Sequence, residues 1–288
     1  MKTSQLFNEY KKYVLTVANK QLPTYYSSKY SYEYYLTQFD IVLNNCIKWE
    51  LLSVKDTPKY HWKTIYNEFN RWCKHNIFNI SWTLFMKNNY HKINNIRRSR
   101  HFKTFIDVTK INNRGGVEGI VINNEYTKKN ITPITILCDD KKLPISVNTL
   151  KYKSLYKNGR RSCSHDVTGV QDALYSIPID VPEYVKISLT GDKGYISHKQ
   201  YTILNNNQTI NITTPKRNNQ YVKTSNTAKK LLQERYKVEH TINRLKVKTK
   251  ISNRTDRKLF TYMSFIYLSF IIRYFEYMNN NNIVIHIS

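Results

Sequence analysis

Residues 235–246 read Arg235-Tyr236-Lys237-Val238-Glu239-His240-Thr241-Ile242-Asn243-Arg244-Leu245-Lys246. At about 100° per residue on a helix, the side chains of Arg235, Glu239 and Lys246 point within roughly 40° of one another. Apolar residues of the same segment, Val238 and Ile242 among them, form an adjacent stripe. One helix can therefore bury an apolar edge while it holds a carboxylate between two cations, which keeps that carboxylate ionised.

Two aspartates upstream can complete a set of acidic ligands with Glu239. Asp107 follows the apolar pair Phe105-Ile106, and Asp192 lies in Gly191-Asp192-Lys193-Gly194-Tyr195. Two carboxylates at strand ends and one on a late helix form an all-oxygen ligand set, which suits Mg²⁺. Each also has a structural alternative: a turn or cap for the two aspartates, and an ion pair on a solvated helix face for Glu239.

These residues resemble a known family, the DDE transposases of bacterial-type insertion sequences, and most closely its small family-five group. Phe105-Ile106-Asp107-Val108-Thr109 is similar to the first catalytic aspartate motif of the family, and Gly191-Asp192-Lys193-Gly194-Tyr195 is similar to the second. Arg235, Glu239 and Lys246 match the Arg-x3-Glu-x6-Lys core of the family signature. The signature has Tyr three residues before the Arg, where this chain has Leu232.

The resemblance implies an α/β fold with two domains. Residues 1–95 would form a small all-helical domain, which in the family binds DNA. Residues 96–288 would form an RNase H-like, mixed-sheet catalytic domain that ends in a C-terminal helix. Asp107, Asp192 and Glu239 would be the catalytic residues and the ligands of two divalent cations, Mg²⁺ with Mn²⁺ able to substitute.

The expected partner is double-stranded DNA, at the element ends and at the target, bound by a homodimer or a larger oligomer. The residues expected to contact DNA are Arg235, Lys246, Lys193, Lys216, Arg217, Arg97, Arg98 and Arg100. The last three lie in a basic segment, His91 to Lys103, that the sequence indicates as a linker along phosphates. No small-molecule substrate is expected.

The charge balance independently favours a polyanionic partner. The chain has 46 Lys and Arg residues against 20 Asp and Glu, a formal net charge of +26. The basic residues are not confined to one amphipathic helix, as they would be in many proteins that bind membrane surfaces, so nucleic acid is the better prediction. The alternative is a basic protein that has no polyanionic partner.

The cysteines and the apolar segments indicate an intracellular protein. Cys46, Cys73, Cys138 and Cys163 lack metal-site spacing and are expected to be reduced thiols. The N-terminus has no apolar signal core. The apolar run 259–272 is shorter than the ~18–20 residues that cross a bilayer, so we expect a buried terminal helix and no membrane association. The predicted location is with DNA in the cytoplasm or nucleoid, or in the nucleus of a eukaryotic host.

The periodicity of apolar residues predicts the order of the elements. A helix is expected over 60–73 and a short one over 82–87, which together suit a helix-turn-helix domain or a subdomain that only packs or dimerises. Strands are expected over 103–108, 132–138, 143–149, 186–190 and 209–214, and helices over 167–177, 195–205 and 227–250. This is the order of an RNase H-like domain.

The leading functional hypothesis is a transposase that binds the ends of a mobile element and catalyses metal-dependent phosphodiester cleavage and strand transfer. One alternative is a domesticated, catalytically inactive DNA-binding protein similar to a repressor, which Leu232 favours and the presence of all three acidic residues disfavours. The other is a nuclease with the same acidic site and no strand transfer.

Overall fold

The structure, a computed structural model, describes residues 2–23, 30–45, 47–52, 61–119, 121–122, 130–149, 155–157, 160–162, 168–195, 201–203, 208–215 and 225–284. The helices are α1 (Lys2–Gln21), α2 (Tyr32–Asn45), α3 (Trp62–Lys74), α4 (Ile77–Ile93), α5 (Thr168–Tyr175), α6 (Asn226–Gln233), α7 (Tyr236–Lys246), α8 (Thr249–Ser252) and α9 (Leu259–Asn280). The strands are β1 (His101–Asn113), β2 (Val121–Ile122), β3 (Asn130–Asp139), β4 (Pro144–Thr149), β5 (Leu155–Lys157), β6 (Arg160–Ser162), β7 (Lys186–Thr190), β8 (Tyr201–Ile203), β9 (Gln208–Thr213) and β10 (Asn253–Arg254). Short 3₁₀ turns span Trp49–Leu51, Ile96–Arg98 and Lys193–Tyr195.

The chain forms two compact units whose boundaries differ from the expected division at residue 95. The first unit contains Met1–Ile93, Arg114–Glu118 and Leu245–Ser288, and the second contains Asn94–Asn113 and Gly119–Arg244. The C-terminal helix α9 therefore packs with the N-terminal helices and not with the sheet. The reason is that the buried aromatic residues of α9 find their partners on the helices of the first unit.

An aromatic core holds the first unit together. The rings of Phe69 on α3 and Phe265 on α9 stack with centroids 4.4 Å apart, and Phe69 also contacts Phe39 of α2 at 4.9 Å. Trp82 of α4 contacts Tyr274 of α9 at 5.0 Å. Offset and edge-on aromatic pairs of this kind add to the stabilisation from burial. Helix α9 is buried along most of its length, as the apolar run 259–272 predicts.

A tight turn joins α3 and α4. Asn76 has φ of 54°, a left-handed conformation that Asn tolerates better than most residues, so α4 can begin at once with Ile77. Helix α4 is much longer than the predicted segment 82–87. The apolar pattern underestimates it because Ser81 and Asn89 are buried and bond back to the carbonyls of Ile77 (2.8 Å) and Phe85 (3.4 Å).

No helix among the described residues is long and apolar enough to cross a membrane.

A mixed sheet forms the centre of the second unit. Its strands run in the order β2-β3-β1-β7-β9-β8, with β4 also paired to β3. The pairs β1/β3, β3/β4 and β8/β9 are antiparallel, whereas β1/β7 and β7/β9 are parallel. Strand β3 is buried from Ile131 to Asp139, which fits its interior position in the sheet. The short strands β5 and β6 pair only with each other.

Helices cover both faces of this sheet. On one face, Ser146 of β4 donates from Oγ to the carbonyl oxygen of Ala173 on α5 at 2.8 Å. On the other face, the ammonium of Lys237 on α7 lies 5.4 Å from the ring centroid of Phe105 on β1. The register assigns these residues to opposite faces, because Phe105 pairs with Cys138 while Ser146 pairs with Leu137.

Three sequence-based predictions of elements are wrong. The predicted helix 195–205 is, in its described part, a 3₁₀ turn and the strand β8, whose β-prone residues pair with β9. The predicted helix 227–250 is broken into α6, α7 and α8. At the first break Glu234 bonds through its carboxylate to Lys237 (2.7 Å) and Lys103 (3.4 Å), so tertiary charge contacts override helix propensity. The predicted basic linker 91–103 is the end of α4, a 3₁₀ turn and the start of β1.

The acidic turn between β3 and β4 has a structural role. Asp139 accepts hydrogen bonds at Oδ1 from the backbone N–H groups of Lys141 and Leu143, both at 2.9 Å. Lys142 has φ of 63° in the same turn. An aspartate bound to its own turn in this way closes the hairpin and leaves the catalytic set unchanged.

We predict that Phe69→Ala lowers the free energy of unfolding by about 3–5 kcal/mol, because it removes a fully buried ring from the aromatic core and leaves a cavity. Chemical denaturation followed by circular dichroism measures the change. Leu84→Ala is the control, since Leu84 lies on the neighbouring helix with 39% of its surface exposed. Equal losses for the two variants would contradict the central position assigned to Phe69.

Candidate functional site

The parallel pairing of β1 with β7 brings Asp107 and Asp192 side by side. Phe105 on β1 pairs with Thr190, the last residue of β7. Asp107 and Asp192 each follow these paired residues by two positions, so the two aspartates lie near the same end of the β1/β7 pair. Residues two apart in a strand share a face, and Asp107 therefore lies on the face that α7 covers.

The loop that carries Asp192 is tightly constrained. Asp192 accepts the backbone N–H of Lys193 at Oδ1 (2.6 Å), and its carbonyl accepts the N–H of Tyr195 (3.0 Å). A Cβ atom on Gly191 would lie 2.8 Å from the Tyr195 ring and 3.1 Å from Cγ2 of Ile106. Gly191 thus permits close packing of the loop on the sheet, and Asp192 remains exposed at the tip.

Glu239 lies in the first turn of α7 and pairs with Arg235. The distance from Arg235 Nη2 to Glu239 Oε1 is 2.7 Å, with side-chain exposures of 29% and 47%. Arg235 itself lies in the turn before α7, yet it reaches the carboxylate as the helical spacing predicts. A negative charge in the first turn of a helix is also favoured by the helix dipole.

Electrostatic coupling links the three carboxylates. Burial raises the pKa of the Asp107 carboxyl above its usual value, and the negative charges of Asp192 and Glu239 raise it further. The N–H of Val108, at 2.8 Å, and the charge of Arg235 act in the opposite direction. The charges of Asp192 and Glu239 therefore both reach the carboxyl of Asp107.

The carboxylates of Asp107, Asp192 and Glu239 are suitable ligands for a divalent cation, but they are not arranged in metal-binding geometry. Among the described residues, no group of three or more His, Cys, Asp or Glu side chains is arranged to hold a metal ion. Glu239 is bound to Arg235, and Asp192 is bound to the N–H of Lys193. Asp107, Asp192 and Glu239 supply carboxylate oxygens, the donor type that Mg²⁺ prefers, so their chemistry is compatible with a divalent cation.

The sequence did not predict the contacts that fix α7 against β1. Lys237 bonds to Glu234 and lies over the ring of Phe105, while Lys103 of β1 also bonds to Glu234. Behind them Cys138 of β3 is buried, and burial raises the pKa of its thiol. Only the Glu234-x2-Lys237 spacing hints at this arrangement, because a tertiary cation–ring contact has no local signature.

The described basic residues of the predicted DNA-binding set are largely at the surface. Arg97, Arg98 and Arg100 are exposed around the 3₁₀ turn that precedes β1, and Lys193 is exposed beside Asp192. Lys246 is the last residue of α7 and is partly exposed.

Several predicted residues lie outside the described part of the chain. They are Lys216, Arg217, Cys46 and Cys163. Cys73 and Cys138 are free and buried, as expected for reduced thiols.

The comparisons with known proteins support a transposase fold. No protein-family model matches the chain, and no curated protein sequence matches it. A solved structure that is similar is the cryo-electron microscopy structure of a piggyBac transposase synaptic complex with hairpin DNA. The alignment has a TM-score of 0.51 and 11% sequence identity, and it covers 98% of this chain and 74% of that one. At this identity the likeness concerns the fold alone: the chain has a mixed α/β fold similar to that of the piggyBac transposase.

We predict that Asp107→Asn stabilises the protein at pH 7 in the absence of divalent cations. The native pKa of Asp107 lies above its unfolded value, so the free energy of unfolding falls as the pH rises from the unfolded pKa through the native one. The amide removes this penalty, and its advantage should vanish below the ordinary Asp pKa of about 4. Thermal unfolding across pH measures the difference.

The matched control is Asp172→Asn, on an exposed position of α5. Two results would contradict the raised native pKa of Asp107. One is that Asp107→Asn is no more stable than the wild type at pH 7, and the other is that its gain in stability depends on pH no more than that of Asp172→Asn.

Proposed function

We propose that the protein is a DDE-type transposase, which binds the ends of a DNA element and catalyses metal-dependent phosphodiester cleavage and strand transfer. The observation that carries this proposal is that the charges of Asp192 and Glu239 both act on the pKa of the half-buried Asp107 carboxyl, on a strand that pairs directly with β7. The net charge of +26 supports a DNA partner. The transposase fold agrees with both.

The sheet supports an RNase H-like assignment for the second unit. An antiparallel set β1, β3 and β4 is followed by β7 and β9, each parallel to its neighbour, with α5 in between and α7 afterwards. Apart from the helix expected between β7 and β9, where the described residues form β8, this is the order of strands and helices expected for such a domain. The parallel pairing of β1 with β7 supports a common location for Asp107 and Asp192.

In the proposed mechanism, the three carboxylates would hold two divalent cations, Mg²⁺ or Mn²⁺. When bound, such ions lower the pKa of water and stabilise the leaving 3′-oxygen. Asp107 would supply its carboxylate from the sheet, Asp192 from the loop after β7, and Glu239 from α7. Arg235 pairs with the Glu239 carboxylate at 2.7 Å, and its guanidinium is equally suited to bind a phosphate.

The three acidic residues distinguish the proposed function from the repressor-like alternative, and strand joining distinguishes it from a nuclease. An inactive, repressor-like protein would need the positive charge but not the three carboxylates. A nuclease would need the carboxylates but would not join DNA strands. We expect the active form on DNA to be a dimer or a larger oligomer.

We predict that Asp107→Ala, Asp192→Ala and Glu239→Ala each abolish Mg²⁺-dependent cleavage of the DNA that flanks the gene, because each removes an oxygen ligand. DNA binding should remain nearly intact. Cleavage is measured on labelled duplex ends and binding by gel shift. If the triple alanine variant still cuts DNA, these three residues are not the catalytic set.

We predict that Arg235→Ala and Lys246→Ala reduce the rate of cleavage more than the affinity for DNA. Misplacing the scissile bond by about 1 Å can cost about 10²-fold in rate, whereas one exposed phosphate contact is worth little. Single-turnover cleavage and gel shifts give the two quantities. Arg244→Ala is the control, because Arg244 is exposed about 140° from Glu239 around the helix. An equal loss of rate for Arg244→Ala would refute the assigned helix face.

We predict that affinity for DNA falls by roughly 10³ or more between about 50 and about 200 mM salt, if about six or more phosphates are neutralised. The net charge of +26 motivates this expectation. Fluorescence anisotropy with a labelled duplex measures the slope. A flat salt dependence would point to a partner other than nucleic acid.

A further inference from the structure

A polar cavity of about 360 Å³ opens in the first, helical unit. Its lining contains Tyr66, Asn67, Asn70, Arg71 and Lys74 of α3 together with Lys258, the residue that precedes α9. The three acidic residues of the proposed catalytic site are not part of this lining. The cavity is therefore a separate feature of the fold, with its own chemistry.

The charged part of the lining selects an anion. Three of the six lining residues are cations, and one of them, Arg71, is paired with the carboxylate of Glu68 at 2.7 Å. Lys74 and Lys258 are exposed, and neither forms an ion pair with a carboxylate in the described part of the chain. The N-terminus of α9 adds little to the attraction for an anion, because Glu118 Oε2 already accepts the N–H of Leu259 at 2.8 Å. The two lysines supply the attraction.

The neutral part of the lining suits a nucleobase. The side-chain amide of Asn67 is exposed at the cavity and offers both a donor and an acceptor, the pair that recognises a base edge. Tyr66 presents an aromatic ring that is supported from behind by Trp49, with centroids 5.5 Å apart. Asn70 holds the wall in place by donating to the carbonyl of Tyr66 at 3.1 Å. Bases stack on aromatic rings whatever their sequence.

We propose that this cavity binds one nucleotide, with its phosphate at Lys74 and Lys258 and its base against Tyr66 and Asn67. The volume is at the lower end of the roughly 300–1,000 Å³ typical of small-ligand sites, which is more than a bare ion needs. The nucleotide belongs either to an unpaired position of a DNA strand or to a free pool, and the recognition chemistry is the same. The proposal goes beyond the proposed function, because it concerns binding by the helical unit and requires no cleavage.

The test uses the full chain and two probes, dAMP and a short single strand of oligodeoxyadenylate, in calorimetric and anisotropy titrations. Lys74→Ala/Lys258→Ala should weaken pocket binding by about tenfold or more, as expected for the loss of two charge-assisted contacts. Lys20→Ala/Lys87→Ala removes the same charge from exposed positions of α1 and α4 outside the cavity and should change dAMP affinity less than about twofold. Lys74→Arg/Lys258→Arg should retain most of the binding.

The two probes distinguish the two sources. If Lys74→Ala/Lys258→Ala weakens the binding of dAMP and the control variant does not, the cavity is a site for a free nucleotide. If the same variant weakens only the binding of the single strand, the cavity holds a nucleotide within DNA. Asn67→Leu should reduce the preference for dAMP over deoxyribose 5-phosphate. The proposal is overturned by equal losses in the pocket and control variants, by inorganic phosphate that competes as well as dAMP, or by a folded protein that binds neither probe. Asp107→Ala protein should bind both probes normally, which separates this test from that of the proposed catalytic site.

Discussion

The parallel register between β1 and β7 is the constraint on which the candidate site depends. Because Phe105 is paired with Thr190, Asp107 and the residue two positions past β7 are placed at one level of the sheet. A shift of one residue would turn the Asp107 side chain to the opposite face, toward α5. Gly191 is compatible with this register. Because it has no Cβ, the loop can pack closely on Tyr195 and Ile106, with Asp192 at its tip.

The third carboxylate depends on a different kind of contact. Helix α7 is fixed by the ammonium of Lys237, which bonds to Glu234 and lies over the ring of Phe105. These contacts place Glu239 where its charge is felt by Asp107. Burial of Asp107, together with the smaller effects of the charges of Asp192 and Glu239, disfavours its ionised form, and the charge of Arg235 opposes this. Strain of this kind is common where a protein is arranged for chemistry rather than for stability alone.

Much of this arrangement could be predicted from local sequence, and the part that could not has a physical explanation. Strands β1, β3, β4, β7 and β9 follow from their apolar runs, and the spacing of Arg235 and Glu239 gives an ion pair that the structure contains. Local patterns did not predict most of α4, because the side chains of buried Ser81 and Asn89 donate hydrogen bonds to backbone carbonyls of the same helix. They also could not show that α9 packs with the N-terminal helices, because an apolar face carries no information about its partner.

The central claim, that Asp107, Asp192 and Glu239 share one site, is tested most directly by carbon-13 NMR titration of the Asp107 carboxyl. The account predicts that Asp192→Asn and Glu239→Gln each lower the pKa of Asp107, since each removes a negative charge, and that Arg235→Gln raises it. Asp172→Asn, on the helix of the opposite face, should leave it unchanged. A pKa of Asp107 that responds to none of the three substitutions would show that the carboxylates do not converge, and would contradict the account.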